Sequence, residues 1–165
     1  MQDIDFDQKA PLLAWDIFCG SYNRLMDDAL KYQQSATAIK QIAKSNKWSK
    51  VQLNEALENM REFVIVVTNP LQQISFTGIG FEEMTGYTAS EANGRNPSFL
   101  QGLSTNRKNT GMVKEQLRQN KTTEIILENY RKNGEQYLCK ITIKPVVNIH
   151  QQLVNYIAYE QEIAA

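Results

Sequence analysis

The sequence contains very little histidine and cysteine. Among its 165 residues there is one histidine, His150, and the two cysteines, Cys19 and Cys139, stand far apart. Zinc sites and redox motifs need such residues at short spacing, so neither is predicted, and in a reducing compartment both cysteines are expected to be free thiols. A catalytic nucleophile also needs a base and an orienting group, and the single histidine has no evident partner. We therefore expect that the chain is not an enzyme.

The chain also lacks an excess of charge of either sign and lacks long apolar runs. It has 18 Lys and Arg residues against 18 Asp and Glu residues, which gives no general attraction to nucleic acid or to an anionic membrane. No apolar stretch approaches the roughly 20 residues that cross a bilayer, and the N-terminus lacks the layout of a secretion signal. We expect a cytoplasmic protein that binds neither nucleic acid nor a membrane.

The sequence changes character near residue 61. Residues 1–60 are predicted to be a helical extension, because apolar residues recur at spacings of four and three from Leu25 to Ala43. A separate short helix is expected around Leu12 to Cys19. A capping box that begins at Ser49 predicts a further helix over Lys50 to Met60.

Residues 61–165 are predicted to form one domain of short strands and short helices. Asn133-Gly134 lies between two alternating runs and predicts a hairpin, because both positions accept positive φ. A capping box at Thr88 predicts one short helix. The remaining expected elements are strands over 63–68, 73–77, 123–130, 135–146 and 153–162, and a helix over 105–120 that buries Met112, Val113 and Leu117.

The residues within this order resemble the PAS family of sensor domains. The resemblance is carried by Gly80-Phe81, Met84-Thr85-Gly86-Tyr87, Glu91, Gly94 to Gly102, Asn129 to Glu135 and Ile157-Ala158. It implies an α+β fold, in which a five-stranded antiparallel sheet carries short helices on one face. It also implies a ligand pocket between the sheet and those helices. The resemblance is to a stand-alone PAS protein of bacterial type, preceded by its helical extension.

Within the family, Gly94 to Gly102 looks most like the light-oxygen-voltage subgroup, which binds flavin. The subgroup's pattern runs Gly-Arg-Asn-Cys-Arg-Phe-Leu-Gln, whereas here Pro97 stands in the place of the adduct-forming cysteine and Ser98 in the place of a phosphate-binding arginine. Cys139 falls at or next to a ring-binding asparagine, and Glu160 stands where a glutamine contacts the ring. Proline has no thiol, so adduct photochemistry is not expected. Flavin binding without an adduct stays open as a secondary cofactor hypothesis.

Haem is not expected, because His150 lies in a loop and not on the long helix that supplies the haem ligand in related oxygen sensors. The resemblance implies a candidate pocket lined by eight residues: Phe81, Met84, Asn96, Phe99, Gln101, Asn129, Cys139 and Ile141. The resemblance does not name a ligand.

Two functions follow from this pocket. In the first, it binds a small ligand and the domain reports that binding to other proteins. In the second, side chains fill the pocket and the chain is a constitutive platform for dimerisation or docking. No output domain is expected in the chain, so a separate downstream signalling protein is predicted. We also expect a homodimer in which the N-terminal helices join the interface, with packing of these helices on their own domain as the alternative.

Overall fold

The computed structural model describes residues 9–164, apart from the side chains of residues 9–16 and 107–109. The chain divides into two compact units, with the division between Gln34 and Ser35. Helix α1 spans Lys9–Ser45 without a break, so the prediction of a separate short helix around Leu12 to Cys19 is wrong. Gly20 lies within α1, and one glycine costs a helix only about 1 kcal/mol relative to alanine.

The apolar face of α1 is exposed in the first unit. Six large apolar side chains there are each between 53% and 69% exposed: Ile17, Phe18, Tyr22, Leu25, Met26 and Leu30. In the second unit the same periodicity is buried, at Ala36, Ile39 and Ala43. The stripe expected from Leu25 to Ala43 is therefore buried only at its C-terminal end. No helix in the described part of the chain combines the length and the apolar composition needed to cross a bilayer.

The second unit contains an antiparallel sheet with the strand order β2-β1-β5-β4-β3. Its first and last strands pair with each other, from Val64 opposite Glu160 to Thr68 opposite Tyr156. The predicted five-stranded α+β fold is confirmed. The strands are β1 Val64–Thr68, β2 Ile74–Thr77, β3 Thr123–Tyr130, β4 Gln136–Val147 and β5 Leu153–Ile163.

Most of the helices lie between β2 and β3 in sequence. They are α3 Phe81–Thr85, α4 Ala89–Ala92, a 3-10 turn Pro97–Leu100 and α5 Arg107–Arg118, while α2 Lys50–Asn59 precedes the sheet. The capping boxes at Ser49 and Thr88 are both present. In α5, Val113 and Leu117 are buried as predicted, but Met112 is 56% exposed. A one-residue step turns a side chain by about 100° around the helix axis, which takes Met112 off the buried face.

The predicted hairpin between β3 and β4 is present, with one positive φ in its loop. Gly134 has a φ of 88°, but Asn133 is not among the residues with positive φ. The loop is closed by the backbone N–H of Arg131, which donates to the Glu135 carbonyl at 2.8 Å, and by that of Gly134, which donates to the Arg131 carbonyl at 2.9 Å. These bonds enclose a three-residue loop with one left-handed glycine.

One buried side chain connects the end of α1 to the sheet. The Oδ1 atom of Asn155 accepts hydrogen bonds from Asn46 Nδ2 and Trp48 Nε1, both at 2.9 Å. Its Nδ2 atom donates to the Thr68 carbonyl at 3.0 Å. The Asn155 side chain thus joins the segment after α1 to two adjacent strands, β1 and β5.

Replacing Asn155 by alanine is expected to destabilise the domain by about 2–4 kcal/mol, because it leaves the buried Trp48 N–H and the Thr68 carbonyl without partners. Urea unfolding followed by circular dichroism measures the change. Gln161→Ala, on an exposed position of the same strand, is the matched control and should lie within about 0.5 kcal/mol of wild type. Equal stability of the two variants would show that these hydrogen bonds contribute nothing net.

Candidate functional site

A cavity of about 130 Å³ lies between the sheet and the elements that cover its inner face. Strands β1, β3, β4 and β5 form one wall, and the 3-10 turn and α5 form much of the other. A single water needs only about 10–15 Å³ of such space, so the cavity exceeds what one trapped water explains. Most of the wall is apolar, as in sites that bind small organic molecules.

Four of the predicted site residues lie in the cavity wall: Asn96, Gln101, Asn129 and Ile141. Two of them are joined directly, because Gln101 and Asn129 form an isolated antiparallel bridge between their backbones. The segment that follows is fixed to the same strand, since Thr105 Oγ1 donates to the Glu128 carbonyl at 2.5 Å. The chain between the 3-10 turn and α5 is therefore tied to β3 at the edge of the cavity.

Three of the other four predicted site residues, Phe81, Met84 and Cys139, belong to the surrounding core. Phe81 packs in a buried cluster with Val66 and Leu100, and Met84 and Cys139 share a second cluster. Their role in this structure is to support the cavity wall from behind.

Phe99 is held at the half-buried edge of the fold by aromatic and cationic neighbours. Its ring meets the Tyr87 ring edge to face at a centroid distance of 5.0 Å. The Arg95 guanidinium lies 3.8 Å from the Phe99 centroid. A cation over an aromatic face is attracted by the ring quadrupole, so Phe99 anchors the 3-10 turn beside the cavity rather than facing into it.

Two oxygen atoms on the inner face of the sheet are buried with no hydrogen-bond partner among the described residues: Asn129 Oδ1 and Glu160 Oε2. The Tyr137 hydroxyl is buried beside them, within reach of the Asn129 amide. Asn129 and Glu160 also line the cavity, and they are only 3% and 4% exposed. A buried polar group without a partner costs about 1–3 kcal/mol. The cavity wall is therefore mostly apolar, and it contains two buried oxygen atoms, one from Asn129 and one from Glu160, that accept no hydrogen bond from the described residues.

Glu160 has the most perturbed environment in the cavity. It lies on the central strand β5, opposite Val64 of β1 and Ile141 of β4, so its strand neighbours are apolar. Burial raises the pKa of its carboxyl to about 7, because low-polarity surroundings disfavour the charged form. Burial also raises the pKa of the nearby Cys139 thiol, to which the Glu160 charge adds. Near neutral pH Cys139 is a thiol and not a thiolate.

Helix α5 contributes a face to the cavity that was not among the predicted site residues. Thr110, Val113, Lys114 and Leu117 all line it, at the spacing of three and four that brings residues to one helix face. That spacing was the available signal, but it indicates a buried face equally well. Glu160 was noted as a departure from the flavin-binding pattern and was not placed among the site residues. Its position in the cavity wall makes it a site candidate.

Comparison with known proteins agrees with this geometry. The family model described as "PAS domain" matches residues 62–165. The chain belongs to the PAS domain family. The family resemblance read from the sequence is thereby confirmed, including its light-oxygen-voltage character, because the similar proteins described next are light-oxygen-voltage or blue-light proteins.

Curated relatives of this PAS domain include a blue-light photoreceptor of Listeria innocua serovar 6a, 35% identical over 98 residues, which are 58% of this chain and 39% of that protein. A blue-light-activated histidine kinase of Brucella canis is 31% identical over 102 residues, 60% of this chain and 21% of that protein. The chain therefore spans well under half the length of either relative.

Among solved structures, a light-oxygen-voltage domain from a study with a flavin analogue is 30% identical, with a TM-score of 0.63 over 68% of this chain and 85% of that one. The dark structure of the Aureochrome1 light-oxygen-voltage domain also has a TM-score of 0.63, over 68% of this chain and 83% of that one. At 24% identity, the second match shows the fold alone.

The pKa of Glu160 predicts how stability depends on pH. Its folded pKa of about 7 lies above the ordinary value of 4.5, so the native state holds a proton that the unfolded state releases. Stability from this group is complete below about pH 4.5 and is lost as the pH rises to about 7, by at most about 1.4 kcal/mol per pH unit. Glu160→Gln should remove this pH dependence.

Urea unfolding of wild type and Glu160→Gln at several pH values between about 4.5 and about 8 measures the effect as a difference. Glu83→Gln, at an exposed position, is the control and should follow wild type. If the difference between wild type and Glu160→Gln stays constant across the range, Glu160 does not titrate in the native state as stated.

Proposed function

We propose that this chain is a signalling PAS module that binds a small ligand in the cavity and reports its occupancy to a separate protein. The observation that carries the proposal is that Asn129 and Glu160 face the cavity with buried oxygen atoms that lack partners. A core filled by side chains alone would gain stability from apolar residues at both positions. A bound ligand that hydrogen-bonds these groups offsets their cost. The proposal gives the chain a sensory role and not a catalytic one.

The two faces of β5 supply a route for the signal. Tyr156, Ala158 and Glu160 face the cavity, and the alternate residue Asn155 bonds Trp48 and Asn46 on the other side. Successive residues of a strand point to opposite faces, so a shift of β5 on ligand binding changes both sets of contacts. Under this proposal a ligand shifts the population between two packings of the segment after α1 against the sheet.

The second candidate function is that of a flavin-binding PAS module, in which the ligand of the cavity is a flavin. The relatives named as blue-light photoreceptors favour it, and Asn96, Gln101 and Asn129 line the cavity as hydrogen-bonding groups. Lys114, the one cationic side chain among the described lining residues, is the group available to a phosphate. A bound flavin supplies absorption of blue light and redox chemistry. Pro97 gives it no sulfur from the cavity wall, so any light response would proceed without a cysteine adduct at that position.

Ligand binding is tested by native mass spectrometry of the protein purified from cells and by absorbance at about 450 nm, where flavins absorb. A co-purified small molecule supports the sensor, and absorbance in that region identifies it as flavin. A clean unliganded mass, together with no thermal shift from a metabolite panel that includes flavins, would favour the constitutive platform.

A cavity-filling variant makes the ligand test specific. Ala158 lines the cavity and is half-buried, so Ala158→Leu is expected to occupy the space and abolish the co-purified ligand. Ala89→Leu, the same change at an exposed helical position, should retain the ligand. Equal loading of the two variants would place the ligand outside the cavity.

The chain is further proposed to form a homodimer through the first unit. The exposed apolar side chains of α1 between Ile17 and Leu30 repeat at helical spacing, and a second copy of the same face would remove them from water. The Phe18 and Tyr22 rings stack within this face, with their centroids 6.4 Å apart.

Leu25→Glu places a charge within this face and is expected to shift the full chain from dimer to monomer, because a buried unpaired charge is costly. Multi-angle light scattering over a range of concentrations measures the mass. Asn23→Glu introduces the same charge at an exposed polar position of α1 and should leave the dimer intact. A monomeric mass for wild type, or a dimeric Leu25→Glu, would contradict the proposal.

A further inference from the structure

We infer that Glu160, in its un-ionised form, donates a hydrogen bond to the ligand, so that the ligand is a neutral compound with a carbonyl or heterocyclic nitrogen acceptor and binds with uptake of a proton. The inference rests on the proposed function and names the ligand class and its regulation. It concerns a side chain that a neutral glutamine could replace in shape but not in its response to pH.

The Glu160 carboxyl faces the cavity with an oxygen that the described residues do not satisfy. Glu160 is 4% exposed and lines the cavity, and its Oε2 atom has no hydrogen-bond partner among the described residues. The strand positions beside it are the apolar Val64 and Ile141. A ligand atom in the cavity is thus the available partner for this oxygen.

The charges around Glu160 leave it without a counterion that would hold it ionised. From β4 it faces Cys139 and Tyr137, whose pKa values are also raised by burial and by the Glu160 charge itself. From β1, the cavity-lining residues are Val66 and Thr68, which do not ionise. Across the cavity, α5 contributes Lys114, which is exposed.

The charged groups around Tyr137 at the end of the sheet are paired with each other. Arg131 Nη2 lies 2.6 Å from Glu162 Oε1, and Arg131 Nε lies 3.5 Å from Glu135 Oε1. The guanidinium also lies over the Tyr137 ring, 4.7 Å from its centroid. Arg131 is therefore occupied by two other carboxylates.

Burial raises the pKa of Glu160 to about 7, which agrees with this geometry. Below that pH the group is a carboxylic acid with one O–H donor, and above it a carboxylate that can only accept. A neutral acceptor on the ligand is matched to the first form and repelled by the second. Ligand affinity should therefore fall as the pH rises past neutrality.

The test uses riboflavin as a neutral probe that carries ring carbonyls and no phosphate. Its dissociation constant for the full chain is measured by equilibrium dialysis between about pH 5.5 and about pH 8.5. For wild type we expect weakening that approaches tenfold per pH unit above the midpoint, since one proton is taken up on binding. Glu160→Gln should bind with an affinity independent of pH, and Glu83→Gln, at an exposed position, should follow wild type.

An infrared titration of wild type gives a readout that needs neither a ligand nor a folded variant. A carbonyl stretch from an un-ionised carboxyl should persist near pH 6, where exposed carboxyls with ordinary pKa values are ionised. Its absence at that pH would overturn the inference.

The binding outcomes separate the inference from the proposed function. The same pH dependence in wild type and Glu160→Gln, or tighter binding as the pH rises, overturns the inference while leaving a ligand-binding module. No riboflavin binding at any pH overturns the inference as well, because it commits to this class of ligand. The proposed function fails separately, if the purified protein carries no small molecule and none in the metabolite panel shifts its melting temperature.

Discussion

The pairing of the first strand of the sheet with the last is the constraint on which the other features of the domain depend. It joins Val64–Thr68 to the far end of the sequence and makes β5 the central strand of the sheet. Because alternate residues of a strand point to opposite faces, that register sends Ala158 and Glu160 into the cavity and Asn155 toward the segment after α1. A slip of one residue would exchange the two sets, so the cavity and the contacts behind it are specified together.

Local hydrogen-bonding patterns were predictable from the sequence, and features that depend on distant neighbours were not. The capping boxes at Ser49 and Thr88 form within four residues, so the residue types alone indicate them. Met112 was predicted to be buried and is exposed, because the face of α5 that packs is chosen by the sheet and not by the helix. The hairpin at Asn133-Gly134 was predictable from its residue types, whereas the three-residue length of its loop depends on the pairing of Arg131 with Glu135 across the strands.

The candidate site was predictable to the extent that polar residues marked it. Asn96, Gln101 and Asn129 are predicted by their match to the light-oxygen-voltage pattern, and all three line the cavity. Apolar residues carried no such signal, since a side chain in the core and one in a cavity wall obey the same burial pattern. Phe81 and Met84 therefore could not be separated from Ile141 before their positions in three dimensions were known.

Cys139 and Glu160 together set what this cavity can offer a ligand. In the light-oxygen-voltage pattern that the chain resembles, an asparagine and a glutamine stand at these places, and each is neutral and both donates and accepts hydrogen bonds. The Cys139 thiol is a weak donor that is fully buried behind the wall, so the fixed amide on this part of the sheet is Asn129. Glu160 keeps the shape of glutamine but replaces an amide NH₂ with an oxygen whose proton depends on pH. Since an isolated carboxylate is costly to bury, under the proposed function the cavity matches a ligand best when this oxygen is protonated, and solution pH then takes the place of one fixed donor.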